Sequence, residues 1–430
     1  MNKYFTQYFS RFLLLIVIAF SSGCGQSTTI DSPTLAPKLS QTLTPNPTNT
    51  PEPIHPEGII FYSGFNILYS IDLEGQRSKV VLKPPHGSSY LIRNNSIYIT
   101  LFSEKSKHNE VFRTNLDGTE QRQLTTDSVI QIFNIDQTNH YLVYNNQEVS
   151  LIVLDLLNLT SQVIAERNKN AKGDEWIFAK SWSPDGKQLI YERVLNPAAD
   201  DICTLFVYNI TTGTSVQLPP NADGACGANW SPNGKSILFT TYKDQEFEVG
   251  ILNLENGDID YVPVGAFSYY SGSWSRDRKQ LLMALTDEQD QTYLYTFNWE
   301  DNSINLVLKI GHPQHPSYFA WSPDGNMVLY EQEELSYKHS LYLLDLKNKK
   351  LTNLYTLRGL DMRYDFWWRY SPTWSSDGRY FTYFTMSSSE TDLQQDFILN
   401  IRDVHADGSL QIRVPGQDYA GIVSWTDTTK

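Results

Sequence analysis

The stretch SWSPDGKQLIYE, residues 181–192, recurs along the chain and constrains its fold more than any other feature. Close versions of it stand at 229–240, 273–284, 320–331 and 373–384. Each joins a Trp to a Ser-Pro-Asp-Gly tetrapeptide or a variant of it, in which Pro sets φ and Gly closes a type I turn. A short apolar run follows, and its length is typical of a strand covered on both faces. The motif therefore predicts a repeated β-hairpin.

The repeats follow one another at a regular interval, because the Trp residues at 182, 230, 274, 321, 374 and 425 lie 44 to 53 residues apart. A second pattern, an apolar strand that ends in an acidic or amide turn, occurs eight times, first at 67–75 and last at 397–408. This period is typical of a β-propeller, in which each blade is one four-stranded sheet. We predict an all-β propeller of eight four-stranded blades over residues 57–430.

The two ends of the repeat region complement each other. IIFY at 59–62 begins where the second strand of a blade belongs, and IVSWTD at 422–427 is an inner strand without a blade. An open ring would leave two unpaired sheet edges and an uncovered blade face. We therefore predict that the C-terminal strand pairs with the first blade as its innermost strand and closes the ring.

The W-S-P-D-G turn, together with VFRTNLDGTEQRQLT at 111–125, resembles the WD40-like repeats of the TolB periplasmic family, which also occur in the propellers of prolyl-oligopeptidase-type peptidases. The resemblance covers about residues 57 to 430 and implies a TolB-like fold without implying an activity. The chain departs from the family pattern in three ways. The first three repeats lack the Trp, the turn at 275–278 lacks Pro and Gly, and the α/β domain that precedes the six-bladed TolB propeller has no room here.

The N-terminus predicts an export signal over residues 1–23. Lys3 and Arg11 precede nine apolar residues at 12–20, too few to span a bilayer, which takes about 20, but suited to the central region of a secretory signal. The Ser-Gly-Cys ending resembles a bacterial lipobox, which implies a diacylated Cys24 at the mature N-terminus, although Ser21 stands where Leu or Val is usual. The alternative is an ordinary signal peptide with a chance Cys.

Residues 24–56 are rich in Ser, Thr and Pro and carry too few apolar side chains to fold, so we predict an extended tether. A lipid and a tether together predict a propeller held on the extracytoplasmic face of the cell membrane. The formal net charge of −14 argues against a nucleic-acid partner, because binding a polyanion requires basic patches.

The sequence contains no recognisable catalytic motif. It has neither the G-x-S-x-G elbow that a propeller-linked serine peptidase needs nor an H-E-x-x-H zinc motif. The eight His residues are scattered, and we interpret His312 and His315 as solvent-facing. The repeated Asp and Trp are interpreted as turn and packing residues. We therefore predict no catalytic residue, no metal and no cofactor.

Binding residues are expected on one face of the ring. The turns after the first and third strands of each blade share a first face, which the W-S-P-D-G turns mark, and the longer, irregular connections share a second face, where binding usually sits. The blade connections 167–179, 264–272, 309–318 and 356–372 carry large aromatic residues. The residues predicted to bind are Trp176, Tyr269, Tyr270, Phe366, Trp367, Trp368 and Tyr370, and Tyr318, Phe319 and Tyr419 approach the same opening.

Stacking faces beside an acidic rim suit a glycan or a peptide with basic groups. The alternative for Phe366 and Trp367 is that they fold back and pack over the blade seams. We predict a monomeric, lipid-anchored module that binds an envelope protein, a peptide or a glycan. Two alternatives stay open: a lyase or hydrolase that acts on saccharide or peptide in the central channel, and a structural envelope-assembly component, as the TolB resemblance suggests.

Two of the three Cys residues are placed to form a disulfide. Cys203 opens the third strand of its blade, and Cys226 lies just before the next blade's Trp230, so both belong to the same face and to neighbouring positions. In an oxidising compartment such thiols pair. The alternative is two buried free thiols.

Overall fold

The computed structural model describes residues 54–64, 67–74, 76–84, 88–169, 174–196, 202–218, 225–243, 246–266, 268–277, 279–287, 289–311, 314–334, 338–358, 372–386, 397–405, 409–414 and 420–426. Within these residues every regular element is a strand, and the strands form eight antiparallel four-stranded sheets. The predicted signal peptide and nearly all of the predicted tether lie outside them.

Each sheet is one blade, and its strands follow one another in the chain. Blade 1 begins with its second strand and contains β1 (Ile59–Gly64), β2 (Ile67–Asp72) and β3 (Arg77–Leu82). Blade 2 contains β4 (Tyr90–Arg93), β5 (Ser96–Ser103), β6 (His108–Asn115) and β7 (Arg122–Gln123). Blade 3 contains β8 (Val129–Ile135), β9 (Tyr141–Asn146), β10 (Leu151–Asp155) and β11 (Thr160–Ala165). Blade 4 contains β12 (Asp174–Trp182), β13 (Gln188–Asn196), β14 (Ile202–Asn209) and β15 (Thr214–Gln217).

The second half of the chain repeats this order. Blade 5 contains β16 (Cys226–Trp230), β17 (Ser236–Lys243), β18 (Glu246–Asn253) and β19 (Ile259–Ala266). Blade 6 contains β20 (Ser268–Trp274), β21 (Gln280–Thr286), β22 (Thr292–Asn298) and β23 (Ser303–Gly311). Blade 7 contains β24 (Gln314–Trp321), β25 (Met327–Glu334), β26 (Lys338–Asp345) and β27 (Lys350–Arg358). Blade 8 contains β28 (Thr373–Trp374), β29 (Tyr380–Met386), β30 (Phe397–Asp403) and β31 (Ser409–Val414), and β32 (Ala420–Thr426) returns to blade 1.

The W-S-P-D-G turns owe their shape to a side-chain network. The hydroxyl of Ser183 donates to Asp185 Oδ1 at 2.6 Å and accepts from the amide of Gln188 at 2.9 Å. The Ser183 hydroxyl and the amide of Lys187 hold the pKa of Asp185 below its usual value, so this carboxylate stays ionised and keeps its bonds. The same network recurs in the turns that begin at Ser231, Ser275, Ser322 and Ser375. It therefore forms even at Ser275, whose turn lacks Pro and Gly.

The apolar core lies in the seams between blades. Eight buried clusters each combine side chains of two adjacent blades, one cluster for every seam of the ring. Five of the six repeated Trp residues are at least nine-tenths buried in these clusters. The Trp321 indole donates to Ser273 O at 2.9 Å, and the Trp374 indole donates to Ala320 O at 2.9 Å, in both cases across a seam to the preceding blade. The repeated Trp thus fills the seam and also bridges it.

The ring is closed by its two ends, as predicted. All residues of β1 from Ile59 to Gly64 pair antiparallel with β32. The Trp425 indole donates to Glu57 O at 3.1 Å, so it bonds the entering chain rather than the preceding blade. A Cβ on Gly58, whose φ is +113°, would lie 2.7 Å from both Thr426 O and Trp425 Nε1. Only Gly fits at this crossing of the two chain ends.

A disulfide crosses the seam between blades 4 and 5. Cys203 at the start of β14 is bonded to Cys226 at the start of β16, with 5.5 Å between the two Cα atoms. This is the pair indicated by the sequence, and it lies at the second face, where third strands and inner strands begin.

Replacing Gly58 with Ala should destabilise the ring closure. The new Cβ would meet backbone and the Trp425 indole at a left-handed φ, for which we expect a loss of about 1–3 kcal/mol and a melting temperature lower by a few degrees. Gly325→Ala is the matched control, because Gly325 has a φ of +72° but no atom within 4 Å of an added Cβ. Circular dichroism melts that show equal losses for the two variants would contradict this account of closure.

Removing the disulfide should also lower stability. Its two Cys residues are 23 apart in sequence, and the chain-entropy model gives about 3 kcal/mol for a loop of this length. We expect Cys203→Ala/Cys226→Ala to melt below the wild type, and the wild type to resist alkylation at both positions until it is reduced. Mass spectrometry that finds both thiols alkylated without reductant would show that the bond does not form.

Candidate functional site

The central channel is surrounded by the inner strands, and these strands share an irregularity. In five of them the pairing register shifts at the residue two before the repeated Trp or its counterpart, so that this residue faces no partner. The five residues are Phe133, Lys180, Ala228, Phe319 and Val423. Such β-bulges bend an edge strand and redirect its side chains, and they are frequent next to functional sites. An inner strand pairs on one side only, so the exposed parts of its side chains open on the channel.

Blades 3 and 4 present a continuous row of aromatic rings on their inner strands. Phe133 of β8 and Phe178 of β12 meet edge to face with centroids 6.3 Å apart, and Phe178 stacks on Trp176 at 6.4 Å. All three side chains are half-buried. We call them the aromatic strip. It ends at Trp176, near the start of β12 and therefore near the second face.

An ion pair stands beside the strip at the bulge of blade 4. Lys180 Nζ lies 3.1 Å from Glu192 Oε2 on the neighbouring strand β13. The other oxygen of Glu192 accepts from the amide of Gly227, in the bulge of blade 5, at 2.5 Å. Glu192 is only 4% exposed, so burial of its carboxylate depends on these partners. The pair links two blades and leaves no uncompensated charge at this point of the wall.

A second pair holds the start of β12 in place. Arg193 Nη1 donates to Glu175 Oε1 at 3.0 Å and to the carbonyl of Glu166 at 3.0 Å. The remaining oxygen of Glu175 accepts from the amide of Asn168 at 2.5 Å. These bonds attach the connection between blades 3 and 4 to the residue next to Trp176. The orientation of Trp176 is therefore supported by its neighbours.

Tyr318 in the bulge of β24 is the most unusual residue of the inner strands. It is 54% exposed, and its φ is +51°, in the left-handed region that a non-Gly residue rarely adopts. Its ring still lies close enough to the wall that desolvation, and then the negative charge of Glu331, raise the pKa of its hydroxyl. The hydroxyl therefore stays protonated at neutral pH and can donate a hydrogen bond.

The equivalent bulge in blade 5 shows what the backbone alone requires. Gly227 stands three residues before Trp230, as Tyr318 stands three before Trp321, and Gly227 has a φ of +67°. Gly adopts this conformation without strain. In blade 7 a large aromatic residue occupies the same conformation and remains exposed. Blade 7 lies four places from blade 3 in a ring of eight, so Tyr318 and Phe133 stand on opposite walls of the channel.

The structure corrects the predicted location of several binding residues. Trp176, Tyr269 and Tyr270 were expected on blade connections, but Trp176 lies in β12 and both Tyr residues lie in β20. Tyr318 and Phe319 likewise lie in β24. The inner strands begin earlier than the sequence indicates, because a bulge interrupts their alternation of inward and outward residues.

The other predicted site residues lie outside the described residues: Cys24, Phe366, Trp367, Trp368 and Tyr370. The part of the chain that the structure describes holds no group of three or more His, Cys, Asp or Glu residues that could bind a metal ion. Nor does this part contain a helix long and apolar enough to cross a membrane.

Sequence reasoning did not find the aromatic strip, Glu192 or the strain at Tyr318. Phe133 and Phe178 read as ordinary core positions of two inner strands, and Glu192 follows a buried Tyr at the end of an apolar run. One signal was present: Gly227, Lys180 and Phe319 all stand two or three residues before the repeated Trp. Aligning the repeats on Trp would show that this position varies in chemistry while its surroundings do not.

Comparisons with known proteins agree with this architecture. Residues 93–370 match the family model described as the TolB beta propeller domain. The sequence comparison with curated proteins finds no match. The fold is similar to dipeptidyl peptidase 4 of Porphyromonas gingivalis, with a TM-score of 0.57 and 10% identity over 81% of this chain and 57% of that one. It is similar to an oligogalacturonate lyase of Vibrio parahaemolyticus, with a TM-score of 0.51 and 16% identity over 81% of this chain and 99% of that one.

TolB of Acinetobacter baumannii also matches, with 16% identity over 68% of this chain and 76% of that one, at a TM-score of 0.38. At such identities a structural likeness shows the fold and not the activity. The family match carries more, since it spans more than half of the sequence and falls on the repeated blades. The chain therefore belongs to the TolB beta propeller domain family.

Proposed function

We propose that this protein is a binding module of the cell envelope, anchored by a lipid at Cys24, that takes its ligand in the channel between the aromatic strip and Tyr318. The observation that carries the proposal is the strained, exposed aromatic ring at position 318. Residues held in sparsely populated backbone regions cost about 1–3 kcal/mol each and cluster at functional sites. Gly227 shows that the fold does not need a large residue there, and at 54% exposure packing does not account for the ring.

The chemistry of the walls favours recognition by stacking. The rings of the strip offer stacking faces on one wall, and Tyr318 adds a ring and a protonated hydroxyl on the opposite wall. Aromatic rings placed in this way suit sugar rings or the side chains of a peptide. The ligand class that we propose is therefore a glycan chain or an extended segment of an envelope protein.

Binding is favoured over catalysis by the state of the ionisable groups. The carboxylates of Glu175 and Glu192 each lie within 3.1 Å of a cationic nitrogen and accept a backbone amide with their second oxygen. A general acid or base needs a free site for a substrate proton. These groups are engaged within the protein, where they shape the wall beside the strip.

The proposed location rests on the N-terminal sequence and on the disulfide. The apolar segment, the Ser-Gly-Cys ending and the Ser, Thr and Pro-rich stretch predict an exported lipoprotein. Disulfides persist in oxidising compartments outside the cytoplasm, and the Cys203–Cys226 bond is consistent with such a place.

Replacing Tyr318 with Gly should separate binding from stability. Gly removes the backbone strain, so we expect a melting temperature equal to or above that of the wild type, together with lost binding. Fluorescently labelled protein is applied to a glycan array and to an array of envelope-protein peptides, and each positive probe is titrated against the variant. Tyr261→Ala is the matched control, because Tyr261 is an exposed Tyr on the outer strand β19.

Two results would overturn the proposed site. Unchanged binding of Tyr318→Gly to every probe that the wild type recognises would show that the ligand lies elsewhere. A lower melting temperature for this variant would show that the ring stabilises the fold, which removes the argument from strain.

The lipid anchor can be tested independently with Cys24→Ser. We expect the wild type in the detergent phase of a Triton X-114 partition and in the membrane fraction of the expressing cells. The variant lacks the thiol that carries the lipid, so it should move to the aqueous phase. Aqueous partition of both proteins would refute the anchor without affecting the channel site.

A further inference from the structure

The polypeptide enters the propeller through the first face. Gly58 takes the place of the last residue of a W-S-P-D-G turn, since Gly58 O accepts from Leu73 N at 3.0 Å as Lys187 O accepts from Ile210 N at 3.0 Å in blade 4. In blade 1 the turn is thus replaced by two chain ends, with β32 leaving and residues 54–58 entering. Both ends lie on the face that carries the uniform turns.

Residues 54–58 are attached to this face. The Trp425 indole donates to Glu57 O at 3.1 Å, Pro56 is buried, and Ile54 packs against the cluster in the seam between blades 8 and 1. The direction in which the N-terminal segment leaves the ring is therefore determined up to Ile54. A segment that leaves from here starts on the first face.

We infer that the propeller sits on the membrane with its first face toward the lipid headgroups and its second face, with the Trp176 end of the channel, pointing away. The inference rests on the lipid anchor proposed above. It deepens that proposal, because it assigns the lipid surface to the first face and leaves the channel mouth open to ligands that arrive from outside.

The reach of the tether supports this orientation. About 30 residues separate Cys24 from Ile54, and a flexible chain of that length spans about 30 Å on average. To place the second face on the membrane, the tether would have to pass outward across the remaining strands of a blade, about 14 Å, and along a strand length of about 25 Å. That path is longer than the average reach, whereas the opposite orientation requires no detour.

The chemistry of the first face allows close approach to a lipid surface without insertion. Cations of its turns are paired with carboxylates of the same blade: Lys235 with Glu255 at 2.9 Å, Lys279 with Glu300 at 2.8 Å and Arg379 with Asp403 at 2.9 Å. The face is therefore mixed in charge. Exposed pairs of this kind contribute little energy, so the tether sets the orientation, which should persist at high salt.

Energy transfer to a labelled membrane can measure the orientation. The full-length lipidated protein is bound to vesicles of phosphatidylethanolamine and phosphatidylglycerol that contain a rhodamine-headgroup lipid. A donor dye is attached to one introduced thiol, in Arg276→Cys on the first face or in Gln289→Cys on the second. Both positions are exposed turn residues of blade 6. The native disulfide leaves no competing thiol at 203 and 226.

We expect transfer at least about twofold stronger from position 276, because the two turns are a strand length of about 25 Å apart, and the same ratio in high salt. Equal transfer, or stronger transfer from position 289, on protein that floats with the vesicles would overturn the orientation and leave the anchor intact. If the wild type does not float with the vesicles, the anchor and the orientation both fail. Each variant also carries Cys24→Ser as a control, which should abolish transfer.

Discussion

The structure depends on the requirement that every seam of the ring be filled. Each blade is apolar on both faces, and only a neighbouring blade can cover each of them, so eight seams need eight clusters. The last seam joins residues that are 368 apart in sequence, such as Trp425 and Glu57. Closing a loop of that length costs about 5 kcal/mol plus a constant. Pairing of β1 with β32 and burial of the blade 8 and blade 1 cluster offset this cost, which explains why a crossing as tight as that at Gly58 is retained.

The inner strands face a different requirement, because their outer edges are unpaired around the channel. Bulges make such edges irregular and so prevent them from pairing with another strand. The same bulges redirect one residue per blade. Blade 4 places Lys180 there, which pairs with Glu192, blade 5 uses Gly227 and Ala228, and blade 7 uses Tyr318 with Phe319. One backbone device thus protects the sheets and displays different side chains around the channel.

Much of the fold was predictable because its signals are local. The Trp interval gives the number of blades, and the unmatched strands at the two ends give the closure. Blade 3 was recognisable without its Trp, and the structure shows why it tolerates the loss of the motif: Asp136 replaces the Ser of the turn and accepts the amides of His140 and Tyr141 at 2.7 Å. The site was less predictable. A bulge depends on the register with the partner strand, which the sequence does not display, so Trp176 read as a loop residue although it lies in β12.

The bulge of blade 7 explains how a strained residue can be kept in a stable ring. A left-handed residue persists only when its surroundings determine its conformation. β24 pairs with β25 on both sides of the bulge, from Gln314 to Ser317 and from Ala320 to Trp321. Between these pairs Phe319 turns inward and packs on the buried Tyr330, with ring centroids 5.8 Å apart, and Tyr330 stacks on Tyr342 at 5.5 Å. Because Phe319 is anchored in the seam, Tyr318 has to turn the other way. The exposed ring is therefore held in position by the core, which is what a binding residue on a rigid scaffold requires.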